Sequence, residues 1–203
     1  MTAKRRTLLV ACGALAREVL AVLEAGGVDT FDVTCLPAHL HNTPKAIAEA
    51  VRAKVRAGKL SHDRVFVLYG DCGTGGALDR VCAEETVERI PGAHCYEFFT
   101  GADAFAAVSE AEPAAFYLTD FLVRHFDRLV IGGLGLDRHP ELLADYFGNY
   151  RRLIYLAQTE DAALEAGARA AAARLDLDYE YRFTGYGELA SFVGSARKLK
   201  EPA

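Results

Sequence analysis

Three of the chain's five cysteines stand where a strand would end. Cys12 closes the apolar run Thr7 to Ala11 and is followed by Gly13. Cys72 follows Val65 to Tyr69 in the stretch VFVLYGDCGTGG, again beside a glycine. Cys95 comes after the Pro91-Gly92 turn, next to His94. Thiolates are nucleophiles and soft metal ligands, and a cysteine at a strand-to-helix junction faces the positive end of the helix, which favours the thiolate. Three soft ligands with one open position is the logic of a catalytic zinc site. Cys12, Cys72 and Cys95 are therefore the candidate ligands, with His94 in reserve for the third or fourth place. A full Cys₃His set would suit structural zinc, and three cysteines with an outside ligand could hold an iron–sulfur cluster. No CxxC pair is present, so the ligand set is read from topology. Without a metal, two thiols facing each other could remove and return a proton, as in two-cysteine racemases. The plainest alternative is cysteines packed in a strand layer, the reading adopted for Cys35 within a strand and Cys82 within a helix.

Other groups fall at the same predicted edge. Glu18, early in the first helix, and Asp71, at the end of the Val65 strand, are the candidates for general acid–base work beside a metal-bound water. Gly73, Thr74, Gly75 and Gly76 offer backbone amides and free backbone geometry for holding an anionic ligand. His41 and Asn42 lie in a loop bounded by Pro37 and Pro44 and could reach strand ends.

The elements that must position these groups alternate. Strands are read at Thr7 to Ala11, Phe31 to Leu36, Val65 to Tyr69, Val87 to Ile90, Leu129 to Leu136, Leu153 to Ala157 and Tyr179 to Phe183. Helices are read at Ala14 to Ala25, Lys45 to Ala57, Ala77 to Glu85, Gly101 to Val108, His139 to Tyr146, Asp161 to Leu175 and Glu188 to Val193. Such alternation predicts an α/β fold: a single three-layer αβα domain over residues 7–195, with a mainly parallel, doubly wound sheet. Residues 1–6 and 196–203 read as flexible tails. In such sheets the ligand crevice lies outside the carboxyl ends of the strands, where the cysteines fall. The glycine spacing after Leu129 does not form a dinucleotide fingerprint.

Composition narrows the class. A net charge of −5 argues against nucleic acid as a partner. Lys4, Arg5 and Arg6 precede only a short apolar run, so neither a signal peptide nor a membrane span is expected. An odd cysteine count in a chain of this size points to reduced thiols and a cytoplasmic location. The expected partner is a small-molecule substrate, and a homo-oligomer is left open.

The motifs CGALARE (12–18), LPA (36–38) with LHN (40–42), YGDCGTGG (69–76) and HCYE (94–97) together resemble the family catalogued as domain of unknown function 1638. YLTDF (117–121), GLGL (133–136) and HPEL (139–142) are similar too, so the resemblance spans nearly the whole chain. It implies one cytoplasmic bacterial or archaeal domain, with some relatives associated with corrinoid and methylamine metabolism, and it assigns no catalytic residue. The leading expectation is a zinc-dependent hydrolase, lyase or transferase acting on a small anionic or amide-bearing metabolite. The alternatives are a non-catalytic metal, iron–sulfur or cofactor-binding protein linked to that metabolism, and a metal-free racemase-like enzyme.

Overall fold

The computed structural model describes residues 6–27 and 29–198. The chain divides into two compact units, one formed by the described residues up to Phe98 together with those from Tyr186 onward, the other by Phe99–Gly185. Every strand pairing is parallel and helices lie between the strands, as the α/β reading expects.

The first unit holds β1 (Thr7–Cys12), β2 (Phe31–Leu36), β3 (Arg64–Leu68) and the short β4 (Glu88–Arg89), in the order β2-β1-β3-β4. The chain leaves β1 for one neighbour and then crosses to the other, which makes the gap between β1 and β3 the switch point where such sheets open a crevice. β1 is buried throughout and β3 nearly so, because both are continuous apolar runs covered on two faces. α1 (Ala16–Ala25) turns Val19 and Leu23 inward, and α2 (Ile47–Lys59) buries Ile47, Val51 and Val55 as their spacing requires. α3 (Ala77–Glu84) buries Leu78, Val81 and Cys82. α4 (Cys95–Thr100) spans the boundary between the units.

The second unit continues with α5 (Ala102–Ala111), β5 (Ala115–Thr119), α6 (Asp120–Arg124), α7 (Leu143–Phe147), β6 (Arg152–Ala157), α8 (Ala162–Arg174) and β7 (Asp178–Phe183). Its sheet runs β5-β6-β7. Asp161 caps α8, its carboxylate accepting from the amides of Ala163 and Leu164. α9 (Gly187–Lys198) returns to the first unit and packs against α1. The tail expected from residue 196 thus begins as helix, and apart from Arg6 the rest of both tails lies outside the described residues. The strand expected over Leu129 to Leu136 is instead a π-helical turn at Asp127–Ile131 followed by turns, since three glycines in four positions give a strand little to pack. Among the described residues no helix is long and apolar enough to cross a membrane.

Candidate functional site

The register places the first contact. Ala11 of β1 pairs with Leu68 of β3, so Cys12 and Tyr69, each one residue further on, are neighbours at the carboxyl edge. Beyond β3 the main chain keeps company with the segment after β4: Asp71 N–H donates to Gly92 O at 3.1 Å and Cys72 N–H to Ala93 O at 2.8 Å. That pairing sets Cys72 beside the start of α4, where Cys95 is the first residue. Gly70 leaves little room for a side chain, since a Cβ there would sit 3.2 Å from Ala93 O and 3.3 Å from Cys72 Sγ. Cys72 itself is held at φ +49°, a conformation that L-residues rarely adopt. Strain of this kind concentrates at functional sites.

The three candidate thiols therefore form one group, each within electrostatic reach of another. Burial pushes Cys12 up to about 11, against a smaller lowering by the Ala14 N–H, which approaches its sulfur at 3.4 Å. The junction does supply the donor expected of it, but desolvation wins and the thiol stays neutral. Cys72 is pushed up to about 12, by burial first and then by the charges Cys12 and Asp71 would carry. Cys95 is raised as well, by burial and then by Cys72 and Cys12, with Glu18 adding to the effect. Each site thus opposes ionisation of the next, and at Cys72 a backbone hydrogen bond from Gly70 and the charge of Arg89 work against this. Glu18 is only 4% exposed, so it is a buried carboxylate rather than a solvated one. Its position three residues after Leu15 and four before Val22 signals that face.

Tyr69 was read only as the last residue of an apolar strand. It is fully buried, and its hydroxyl has no nitrogen or oxygen partner. It interacts with the Cys12 thiol by charge and through a weak side-chain hydrogen bond, and with Cys72 and Cys95 by charge alone. Desolvation drives this phenol far above its ordinary range. The exposed ring of His41 lies nearly parallel to it, 16° between planes and 5.6 Å between centroids, with Nδ1 held against Ala38 O at 2.8 Å. Gly13 admits that loop, because a Cβ there would meet Leu36 O at 2.9 Å.

Other expectations are corrected. Asp71 is not free for acid–base work: its carboxylate accepts from Thr74 Oγ1, from Gly75 N–H at 3.1 Å and from Gly76 N–H at 2.9 Å. Burial works to raise its pKa, but these donors outweigh burial and hold it below the usual range. The same bonds occupy the amides of Gly75 and Gly76, so these and Thr74 stabilise the turn and offer no open anion cradle. Gly73 lies beside Pro44 in the same turn at φ +83°. His94 is exposed, tilted against Tyr96 at 6.3 Å, and absent from the groups acting on the thiols. Its amide and that of Ala93 donate to Glu97 Oε1, which caps α4. Cys35 lies in β2 as expected but is exposed, because β2 is an edge strand. Cys82 is buried.

Among the described residues, no group of three or more His, Cys, Asp or Glu side chains already stands at metal-binding spacing. Two open clefts lie elsewhere. One of about 500 Å³ runs past Arg64 and Val65 at the amino end of β3, and one of about 330 Å³ lies at the carboxyl ends of β6 and β7. The second unit also buries Asp120 completely, with Tyr155 OH, Gln158 N–H and Thr159 OH donating to it at 2.7, 3.0 and 2.5 Å.

Fold and site together define an α/β protein with three cysteines near the switch point of a parallel sheet. The chain belongs to the family described as protein of unknown function DUF1638, which it matches over residues 35–193. Cys72 and Cys95 lie inside that match, while Cys12 and Glu18 precede it. No curated protein and no solved structure matches the chain.

Proposed function

We propose that this protein binds a soft divalent metal, zinc foremost, through Cys12, Cys72 and Cys95, and acts as a metal-dependent enzyme on a small metabolite. The observation behind this is the approach of three thiols from three segments, Cys12 buried and Cys72 and Cys95 half-buried, to within electrostatic reach of one another. Burial opposes thiolate formation at Cys12 and Cys95, and at Cys95 the charges that Cys72, Cys12 and Glu18 would carry add to it, while Tyr69 and the Ala14 amide work the other way at Cys12. A cation reverses that balance, because ligation deprotonates the thiols and their negative charges then favour binding. A two-thiol proton transfer needs a resident thiolate near neutral pH, and the raised thiols supply none.

Zinc bound by three thiolates with an open position would supply Lewis-acid polarisation and acidify a water. Glu18, buried near Cys95, would hold or accept the proton exchanged with the metabolite. Asp71 would keep the loop that carries Cys72.

Cobalt(II) titration of the chelator-stripped, reduced protein tests the ligand set, since sulfur-to-cobalt absorption reports thiolate bonds. Changing Cys12, Cys72 or Cys95 singly to serine is expected to abolish most of the absorption, a hydroxyl being a poor substitute for thiolate. Cys35→Ser and Cys82→Ser are expected to keep it. Retention in all five variants, or no binding by the wild type, overturns the proposal.

A further inference from the structure

A row of charges crosses the second unit. β6 and β7 pair Ile154 with Glu180 and Leu156 with Arg182, and since alternate residues share a face, Arg152, Glu180 and Arg182 lie on one side of the sheet. Arg152 Nη1 donates to Glu112 Oε1 and to Glu180 Oε2, both at 2.8 Å. Arg182 Nε donates to Glu180 Oε1 at 2.5 Å. The row therefore reads Glu112, Arg152, Glu180, Arg182, alternating in sign and ending on a cation. Each inner member meets two opposite charges. Arg182 meets one, through Nε, and its side chain makes no other hydrogen bond or ion pair among the described residues. Its two Nη groups, half of the fork that grips a carboxylate, have no protein partner.

The row ends in the cleft of about 330 Å³ at the carboxyl ends of β6 and β7, the edge at which α/β sheets take ligands. The volume falls at the small end of ligand pockets. Arg182 is the one charged residue among those described as lining it, and Phe105, Val108, Leu156 and Phe183 supply apolar wall. Phe105 and Val108 are half-buried and Phe183 is 54% exposed, so an apolar body placed here would cover hydrocarbon that now faces solvent. Thr184 spends its hydroxyl hydrogen on Ala157 O or Gly185 O, which leaves the anion to Arg182. One guanidinium, already shared with Glu180, matches a single carboxylate; a phosphate dianion would call for more positive charge.

We propose that this cleft binds a small monocarboxylate with an aromatic or branched apolar body. The carboxylate sits on the Arg182 Nη groups and extends the alternating row by one charge, while the body lies against Phe105, Leu156 and Phe183. The inference needs no metal and does not rest on the ligand set proposed above.

The test is calorimetric titration of reduced, chelator-stripped protein, so that no metal can hold the carboxylate. The probes are phenylacetate, 3-phenylpropanoate, isovalerate, the neutral phenylacetamide and inorganic phosphate. Saturable binding of at least one carboxylate, one per chain, is expected. Phenylacetamide should bind at least 10-fold more weakly than phenylacetate, and phosphate should not compete. Arg182→Gln should weaken the carboxylate at least 10-fold; Glu180 keeps Arg152 in this variant, so the row is shortened but its remaining charges stay paired. Ala104→Trp, at an exposed position of α5 on the cleft wall, should abolish binding by filling the space. Should Arg182→Gln fail to fold, the acid–amide contrast and Ala104→Trp decide. No saturable binding by any of the three carboxylates, an amide that binds as tightly as its acid, or full affinity in Arg182→Gln or Ala104→Trp overturns the proposal. Displacement by phosphate would overturn the choice of a carboxylate.

Discussion

Raising the pH of the metal-free protein should weaken it, by an amount that follows from Cys12 alone. The thiol is only 4% exposed and its pKa rises from 9.0 to about 11 on folding. Between those values the unfolded chain has lost the proton and the folded chain has kept it. The folded state then binds more protons, and stability falls as pH rises. Each pH unit in that window costs roughly 1.4 kcal/mol, which makes about 2 kcal/mol between about pH 8 and about pH 11. Cys72, raised to about 12, adds a loss of the same sign. Urea unfolding of reduced, chelator-treated wild type and Cys12→Ala at several pH values measures this. Cys12→Ala starts lower, having lost a buried side chain, but its curve should be flatter by about 2 kcal/mol across the window. Parallel curves would refute the desolvation of Cys12 and, with it, the picture of a buried neutral thiol. Zinc-loaded wild type should lack the alkaline loss, because its ligand thiols are already deprotonated.

Asp71→Ala should destabilise the protein by roughly 1–3 kcal/mol in thermal or urea unfolding, since two loop amides and the Thr74 hydroxyl lose their acceptor. Asp120→Ala should cost roughly 3 kcal/mol or more by the same measurement, because it leaves buried donors on Tyr155, Gln158 and Thr159 unpaired. In the native metal-free protein a bulky thiol reagent followed by peptide mass spectrometry should modify Cys35 first and leave Cys82 intact, in keeping with their exposure.

Much of this was legible in the chain. Thr7 to Ala11 and Val65 to Tyr69 are continuous apolar runs, and such runs become central parallel strands whose ends share an edge. Cys12 follows the first run directly and Cys72 comes three residues after Tyr69, so the parallel rule brings both to the same edge. What stayed hidden depends on contacts between distant residues or on turn chemistry. Nothing in Gly70 to Gly76 reveals that Asp71 folds back onto the amides of Gly75 and Gly76; the glycines alone suggest an open cradle. Cys35 sits in an apolar strand, and the pattern does not say that this strand lies at the sheet's edge. The donors to Asp120 are 35 to 39 residues away, beyond any local periodicity. Tyr69 did leave a trace, one polar tip at the end of a run of Val, Phe and Leu, just where the strand meets Gly-Asp-Cys.

The central claim is that this protein carries a metal on its three clustered thiols. Its most direct test is elemental analysis, with an optical spectrum, of protein purified without oxygen and without chelators. About one zinc per chain and no visible absorption is the result expected of three thiolates with an open position. Iron with sulfide and visible absorption would replace zinc by a cluster, and metal-free protein that takes up neither zinc nor cobalt would contradict the account.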